Sequence, residues 1–185
     1  TTGHTGFGVP VATWPDRTDV PRNAARSLRY MDDYQIVSQG EVFYITELLT
    51  KIEGLERGPA GNTSLTAAVS LAREMDQDQL IVVQETEYTG AGKHQNAQLS
   101  FARENGIEIR RGDSVENIPG KTIVIPERLE QIQSRTQDID RLKLEYLANA
   151  AKHLPPSEWS ESDIHFLADD IKKDPRWITD NFLSR

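Results

Sequence analysis

The chain has 185 residues with 29 acidic and 21 basic side chains, giving a formal net charge of −8, and is long enough for one substantial core. The acidic excess disfavours non-specific nucleic-acid binding, which needs clustered cations. The sequence contains no cysteine, which excludes disulfides and thiolate metal sites and is compatible with a reducing cytoplasm. No apolar run approaches the roughly 20 residues that a membrane-spanning helix needs. Because the chain starts at Thr1 within a loop-like stretch, we expect a fragment of a longer protein.

The first part of the chain combines a loop, a strand and a helix. Residues 1–21 are rich in glycine, proline, threonine and aspartate, and this composition predicts a loop. A strand is predicted at Tyr34–Val37. Ser38 and Glu41 then have the spacing of a capping box, in which each side chain satisfies an exposed amide of the first helical turn. The helix that follows is predicted to end at Gly54.

The rest of the chain is organised around the turn Gly58–Gly61 and the helix that it opens. The apolar residues of this helix recur at helical spacing: Leu65, Ala68, Val69 and Ala72. The spacing predicts one buried helical face, and Asn62, Thr63 or Ser64 is expected to cap the first amides. The helix leads to Leu80–Val83, a short apolar run that predicts a strand covered on both faces.

A second glycine-rich turn, Thr89–Lys93, follows the carboxyl end of this predicted strand. Beyond it the pattern predicts a helix at about Gln95–Glu104 and strands at Ile107–Ile109 and Lys121–Ile125. Alternation of strands and helices favours α/β architecture, with a mainly parallel sheet flanked by helices in three layers. Ligands of such sheets bind outside the carboxyl ends of the strands, where both turns are expected to lie.

The end of the chain has the composition of an α-helical extension. Helices are predicted around Ile139–Ala150, around Ile164–Ile171 and after the start signal Asp174–Pro175. We therefore divide the chain into an α/β part, residues 1–133, and a helical C-terminal extension, residues 134–185. Three aromatic side chains of the extension either close a small local core or dock on another surface: Trp159, Trp177 and Phe182.

The sequence lacks the residue patterns of a metal site or a serine hydrolase. Its histidines are scattered and form no i, i+4 pair: His4, His94, His153 and His165. No serine stands in a Gly-x-Ser-x-Gly elbow. The candidate site therefore consists of the turns Gly58–Ser64 and Thr89–Lys93. By themselves these turns predict only that a small molecule or cofactor binds there.

The order of these motifs resembles the C-terminal half of fold-type II pyridoxal-phosphate enzymes, the tryptophan synthase β and threonine synthase family. Pro59–Gly61 is similar to the Pro-Ala-Gly turn of threonine dehydratases and synthases. Thr89–Lys93 is similar to the Thr-Gly-x-Gly-x-Lys turn of threonine synthases, with one residue fewer before the lysine. The resemblance covers about residues 1–133 and implies pyridoxal 5'-phosphate as the cofactor.

The resemblance also implies roles for residues of the two turns. Thr89 would hydrogen-bond the pyridine nitrogen of the cofactor, and a hydroxyl there does not hold that nitrogen protonated. Gly90 would let the backbone approach the ring. Gly58, Ala60 and Gly61 would form the neighbouring wall of the cofactor site.

Other parts of such an active site are expected outside this chain. The Schiff-base lysine, the asparagine beside the phenolic oxygen of the cofactor and the glycine-rich phosphate loop would precede Thr1. Lys93 follows its turn in the wrong place for the Schiff-base lysine and is expected to be a surface or structural residue. We therefore expect no catalytic residue within the chain, and no activity from the chain alone.

Within the family, the run Gln84–His94 and the helical extension are most similar to a thiolase branch that acts in ornithine degradation. That similarity implies an acyltransferase of the cytoplasm whose substrates are a small amino acid and coenzyme A. It also implies an α subunit as partner, with homo-oligomer contacts. Two alternatives are a threonine-synthase-like lyase and a non-catalytic α/β binding module.

Overall fold

The computed structural model describes Arg29 and residues 32–85 and 93–184. The predicted N-terminal loop at residues 1–21 and the predicted cofactor residues in the turn at 86–92, Thr89 and Gly90, lie outside the described residues. Within the described ranges, no helix is both long enough and apolar enough to cross a membrane.

The described chain separates into two compact units. The first is Gln35–Arg135, and the second combines the described residues before Gln35 with those from Thr136 onward. The elements of the first unit are, in chain order, β1 (Gln35–Ile36), α1 (Gln39–Glu53), α2 (Asn62–Ala72), α3 (Lys93–Glu104), β2 (Glu108–Arg111), β3 (Thr122–Ile125) and β4 (Arg135–Thr136), the strand at which the unit ends. Single 3-10 turns lie at Ser114–Glu116 and Leu129–Gln131.

Strands β2 and β3 pair in parallel, as the alternating pattern of strands and helices predicts. Their register places Glu108 opposite Thr122 and Arg111 opposite Ile125. All four residues of β3 are buried, so this strand is covered on both faces. β1 and β4 form a second two-stranded sheet. The described residues therefore give a mixed α/β arrangement with two small sheets and not one broad sheet.

Helix α1 begins and ends at the residues that the sequence predicts. The Ser38 side chain accepts a hydrogen bond from the Glu41 amide, and the Glu41 carboxylate accepts one from the Ser38 amide at 2.6 Å. Gly54 ends the helix in the left-handed conformation, with φ of 68°, and its amide donates to the Thr50 carbonyl. A left-handed residue at this position is usually glycine, because other side chains are strained there.

The first turn of α1 lies directly against β3, and Gly40 makes this approach possible. A Cβ atom at Gly40 would lie 1.8 Å from the carbonyl oxygen of Val124 and 3.1 Å from the amide nitrogen of Ile125. Only a residue without a side chain fits between the helix and the strand backbone. The core beside this contact is formed by α1, α3, β2 and β3, and its buried members are Phe43, Leu99, Ala102, Ile123 and Ile125.

Helix α2 differs from its sequence prediction in its buried face and in its cap. The buried side chains are those of Asn62, Thr66 and Ala68, whereas Leu65 and Val69 are only half-buried. No side chain caps the helix, although Asn62, Thr63 and Ser64 were the expected candidates. The predicted apolar face is confirmed for Ala68 only: Ala72 is exposed, Leu65 and Val69 line an apolar groove against α1, and the polar side chains of Asn62 and Thr66 are buried.

The predicted buried strand at Leu80–Val83 is also wrong for the described structure. The segment is not a strand, and the side chains of Leu80 and Val82 are 91% and 95% exposed. A strand needs a neighbour for its backbone groups, and no described backbone group bonds to this segment.

A side chain of α1 and that of the residue after α2 hold the last loop of the first unit, residues 129–134. The guanidinium of Arg73 donates to three backbone oxygens, those of Leu129, Glu130 and Ile132. The buried carboxylate of Glu41 accepts a hydrogen bond from the Gln133 amide at 2.7 Å. This loop is therefore fixed to the body of the unit by charged side chains that precede it by more than fifty residues.

The second unit is helical, as the sequence predicts. Its elements are α4 (Ile139–Ala150), a 3-10 turn (Pro156–Glu158), α5 (Glu161–Asp170), α6 (Pro175–Ile178) and a π-helical turn (Thr179–Leu183). Its buried core is Leu142, Tyr146, Leu147, Leu167, Ala168, Ile171 and Ile178. The Tyr146 hydroxyl donates to the Asp170 carboxylate at 2.8 Å, which satisfies the polar end of this large core side chain.

The aromatic residues of the extension pack against the core of the second unit. The rings of Trp159 and Phe182 stack with their centroids 5.7 Å apart. Lys173 places its ammonium group 4.9 Å from the ring centroid of Trp177. All three rings are partly buried against the core, which agrees with the local-core alternative.

Candidate functional site

The turn Gly58–Gly61 closes tightly on itself and leads directly into α2. The Asn62 amide donates to the Gly58 carbonyl at 3.2 Å, and the Thr63 amide donates to the Ala60 carbonyl at 3.3 Å. Gly58 and Gly61 are buried and Ala60 is half-buried. The structure thus brings the three predicted wall residues, Gly58, Ala60 and Gly61, together in one turn.

The N-terminus of α2 is distinguished by its free amides. Four other helices have a side-chain cap, provided by Ser38, Asp138, Ser160 and Asp174. α2 has none, and among the described residues no oxygen accepts the N–H of Ala60 or Gly61. The first turn of α2 also carries no acidic residue. Unsatisfied amides and the positive end of the helix dipole favour an anionic oxygen at this position.

Asn62 supplies a second unsatisfied group at the same helix end. It is fully buried, and its side-chain amide donates to the Thr46 hydroxyl oxygen at 3.1 Å. Thr46 in turn donates its hydroxyl proton to the Val42 carbonyl at 2.8 Å. Because the Thr46 proton is already used, Thr46 accepts from Asn62, and this fixes the orientation of the amide. The Asn62 Oδ1 atom remains without a donor.

An unsatisfied buried carbonyl costs about 1–3 kcal/mol, so the missing partner of Asn62 Oδ1 is informative. The Asn62 Oδ1 atom can only accept a hydrogen bond. The free backbone N–H groups of Ala60 and Gly61 can only donate one, as can the side-chain hydrogen of Asn62 that does not bond to Thr46. The site therefore suits a ligand group that both carries a proton and presents an anionic or hydroxyl oxygen. The family resemblance implies such an asparagine upstream of Thr1, and the spacing of α2 favours Asn62 as a cap. The position of Asn62 directly after the glycine-rich turn is the signal for a site residue.

The backbone just before the second predicted turn, Thr89–Lys93, is bonded to the start of α2. The Ser64 hydroxyl lies 3.0 Å from the backbone oxygen of Gln84 and 3.1 Å from that of Gly61. Gln84 is two residues before the undescribed range 86–92, which contains Thr89 and Gly90. α3 then begins at Lys93.

A groove lies between α1 and α2, and its lining is mostly apolar. It encloses about 140 Å³ and is lined by Ile45, Leu48, Leu49, Ile52, Glu53, Leu65 and Val69. A predominantly apolar lining offers too few hydrogen-bond partners for a charged cofactor. Elsewhere among the described residues, no group of three histidine, aspartate or glutamate side chains could hold a metal ion.

None of the three residues with a shifted pKa belongs to the turn, and each shift has a structural cause. Burial lowers the pKa of Lys143 in the second unit, and the positive charge of Lys173 lowers it further. A hydrogen bond with Glu116 raises the pKa of Arg110. Hydrogen bonds from Ser160 lower the pKa of Asp163, the partner residue in the capping box of α5.

Comparisons with known proteins give two close relatives and no family model. The chain is 60% identical, over 179 residues or 97% of its length, to a protein of an unknown prokaryotic organism named 2-amino-4-ketopentanoate thiolase beta subunit. It is 56% identical, over 178 residues or 96% of its length, to a protein of the same name from Acetoanaerobium sticklandii. The chain spans only 38% of the length of these curated relatives. No solved structure matches.

Proposed function

We propose that this chain is part of the β subunit of a 2-amino-4-ketopentanoate thiolase. This enzyme would use coenzyme A to split 2-amino-4-ketopentanoate into acetyl-CoA and alanine. The observation that carries the proposal is the identity of 56–60% over nearly the whole chain. In the reaction the bond between C3 and C4 breaks, the thiol sulfur bonds to C4, and C3 gains a proton in place of the one that the thiol loses.

Pyridoxal 5'-phosphate is the cofactor that the family resemblance implies, and the turn Gly58–Gly61 has groups that fit it. The cofactor carries anionic oxygens, which suit the uncapped amides of the turn. The unpartnered Asn62 Oδ1 suits a protonated group of the cofactor or of the bound amino acid. When bound, the cofactor would supply an electron sink for the negative charge that develops on the amino-acid carbon as the C–C bond breaks.

The residues of this chain would bind and orient the reacting molecule. The amides of Ala60 and Gly61 would donate to an anionic oxygen, and the absence of side chains at the glycines would let the backbone come close. Thr46 would hold the Asn62 amide in one orientation, so that its Oδ1 faces the ligand without the need to rotate. Thr89, by the family resemblance, would bind the pyridine nitrogen through its hydroxyl and leave that nitrogen unprotonated.

The wider properties of the proposed parent subunit follow from the same assignment. It would have a three-layer α/β architecture, of which β2, β3 and their helices are one part. It would work in the cytoplasm with an α subunit and a second copy of itself, in the degradation of ornithine. The Schiff-base lysine would lie outside this chain, so the chain alone would be inactive.

The test is an assay of the full-length parent subunit, purified together with its α subunit. We expect release of acetyl-CoA and alanine from 2-amino-4-ketopentanoate that depends on both coenzyme A and pyridoxal 5'-phosphate. Turnover of threonine without coenzyme A would support the lyase alternative instead. Full activity of a preparation that contains no pyridoxal 5'-phosphate would refute the cofactor assignment.

A matched pair of asparagine variants tests the site itself. Asn62→Ala removes the buried amide, so we expect at least about a tenfold loss of cofactor affinity, the free-energy scale of one strong hydrogen bond. Asn105→Ala changes an exposed amide at the end of α3, which bonds only to the Phe101 carbonyl, and should leave affinity unchanged. Titration of the cofactor-free subunit, followed by visible absorption, gives both affinities. Thermal unfolding of the cofactor-free variants shows whether Asn62→Ala acts only by unfolding the site.

A further inference from the structure

Two lysine side chains of the second unit share one carboxylate. The ammonium group of Lys173 lies 2.8 Å from Asp140 Oδ1 and 3.0 Å from Asp140 Oδ2. The ammonium group of Lys143 lies 3.9 Å from the same Oδ1 atom, which is beyond hydrogen-bonding distance. Asp140 therefore compensates the charge of Lys173 and leaves most of the charge of Lys143 without a partner.

Lys143 is buried without a hydrogen bond. Its side chain is only 10% exposed, and within the described ranges its Nζ atom donates no hydrogen bond, although an ammonium group has three protons to donate. The Nζ atom is not among the fully buried atoms without a partner, so a group from solvent can reach it. Burial is the main cause of the lowered pKa of Lys143, and the charge of Lys173 comes next. The surroundings of Lys143 thus lack an acceptor for its protons.

A third lysine adds to the positive charge of this region. Lys172 follows the end of α5 in the left-handed conformation, with φ of 53°, where glycine is the usual residue. Its charge also lowers the pKa of Lys143. The carboxylate that pairs with Lys172 belongs to Asp32, 3.6 Å away, and both side chains are exposed. Exposed ion pairs contribute little stability, so Lys172 can turn to another anion at small cost.

We infer that Lys143, Lys172 and Lys173 form a binding site for a phosphate group of coenzyme A. This inference rests on the proposed function, which requires the enzyme to bind coenzyme A. A phosphate group offers several acceptor oxygens to the free protons of Lys143, and its negative charge compensates the cluster of ammonium groups. Asp140 and the ring of Trp177, whose centroid is 4.9 Å from Lys173 Nζ, hold Lys173 in position.

The charge of the whole chain favours coenzyme A as the ligand. A chain with a net charge of −8 repels a ligand that carries several phosphates, so binding needs a local cluster of cations. The phosphates of coenzyme A are remote from its thiol, and they can be anchored without hindering the sulfur. Pyridoxal 5'-phosphate also carries a phosphate, but the family resemblance assigns that group to a glycine-rich loop outside this chain.

Calorimetric titration of the full-length subunit with its α subunit tests the inference. The probes are coenzyme A and adenosine 3',5'-bisphosphate, which keeps phosphates of the nucleotide part and lacks the thiol arm. We expect Lys143→Met to weaken the binding of both probes at least about tenfold, the scale of one hydrogen bond to a charged group. Lys152→Met removes the charge of an exposed lysine of the same unit and should leave both affinities unchanged.

A second variant keeps the test valid if Lys143→Met unfolds the second unit. The side chain of Lys172 is 64% exposed, so Lys172→Gln removes a charge without disturbing the core. We expect this variant to bind both probes about threefold more weakly, the scale of one exposed ion pair. Far-UV circular dichroism of each variant shows whether it is folded.

Three results overturn the inference. The first is unchanged affinity for coenzyme A in the folded variants. The second is weaker binding of pyridoxal 5'-phosphate with unchanged binding of coenzyme A, which would assign the lysines to the cofactor. The third is an unmodified enzyme that binds inorganic phosphate but not adenosine 3',5'-bisphosphate.

The titrations do not depend on turnover, so the two proposals can fail separately. An enzyme that binds coenzyme A through these lysines but forms no acetyl-CoA would refute the proposed function and leave the phosphate site intact. An active enzyme whose lysine variants keep full affinity would refute only the phosphate site.

Discussion

Replacement of Gly40 by alanine tests the contact that joins α1 to β3. The new Cβ would lie 1.8 Å from the Val124 oxygen, and real Cβ atoms essentially never approach closer than 3.0 Å. Helix and strand would therefore have to separate by more than about 1 Å, and a gap of this size removes a quarter to a half of the dispersion energy of each contact across it. The obstacle is backbone, which cannot rotate away as a side chain does.

The expected magnitude is the balance of two terms. Overpacking of a rigid core costs about 1–3 kcal/mol and sometimes more, whereas alanine in a helix gains about 1 kcal/mol over glycine. Because backbone has to move, we expect the first term to exceed its usual range and Gly40→Ala to lose about 2–4 kcal/mol. Urea unfolding followed by far-UV circular dichroism measures this loss.

A second glycine provides the control. Gly54 has no atom within 4 Å of an added Cβ, and only its left-handed conformation opposes a side chain, so Gly54→Ala should cost about 1 kcal/mol. If Gly40→Ala were as stable as the unmodified chain, or more stable, the close approach of α1 to β3 would be refuted.

Three further predictions concern burial and charge. The lowered pKa of Lys143 means that the unfolded chain keeps a proton that the folded chain has released, so stability should rise with pH between that lowered pKa and 10.5. Urea midpoints from tryptophan fluorescence should be higher at about pH 10 than at about pH 7, and Lys143→Met should abolish this difference. A midpoint that falls as the pH rises would contradict a lowered pKa of Lys143 in the folded chain. Tyr146→Phe removes the hydrogen bond to Asp170 and should cost about 1–2 kcal/mol in the same titration, so an unchanged midpoint would mean that the bond is absent in solution. Ala68→Asp should cost more than about 3 kcal/mol because it buries a charge, and Val69→Asp clearly less because its groove opens to water; equal losses in urea would show that the buried face of α2 is assigned wrongly.

Much of the local structure could be predicted because its causes are local in sequence. The capping box Ser38–Glu41, the stop at Gly54 and the start at Asp174–Pro175 each need only a few neighbouring residues, and each is confirmed. The parallel pairing of β2 and β3 agrees with the mainly parallel sheet that the sequence predicts, although only the 3-10 turn Ser114–Glu116 lies between these two strands.

The buried face of α2 could not be predicted, because its cause lies in a distant residue. Thr46 accepts a hydrogen bond from the side chain of Asn62 across sixteen residues, and the apolar pattern of α2 does not reveal this partner of the buried Asn62. Apolar periodicity favours Leu65 and Val69, which line an open groove instead. The same distant contact concealed Asn62 as a candidate site residue.

The buried strand predicted at Leu80–Val83 is wrong for the described structure. A run of apolar residues indicates a tendency to be buried, but it does not say which element would cover the segment. The roles of Thr89 and Gly90 stay predictions, since both residues lie outside the described ranges.

The side chains that hold residues 129–134 have a consequence for the rate at which the first unit folds. Arg73 reaches Ile132 across 59 residues, and Glu41 reaches Gln133 across 92 residues. Closing loops of this length costs conformational entropy before the contacts contribute any stabilisation. Such contacts therefore form late and slow the folding of a domain. During synthesis on a ribosome, α1 and α2 would emerge before the loop at residues 129–134 could bond to Glu41 and Arg73, and the unit would reach its final stability only when residue 133 had left the exit tunnel.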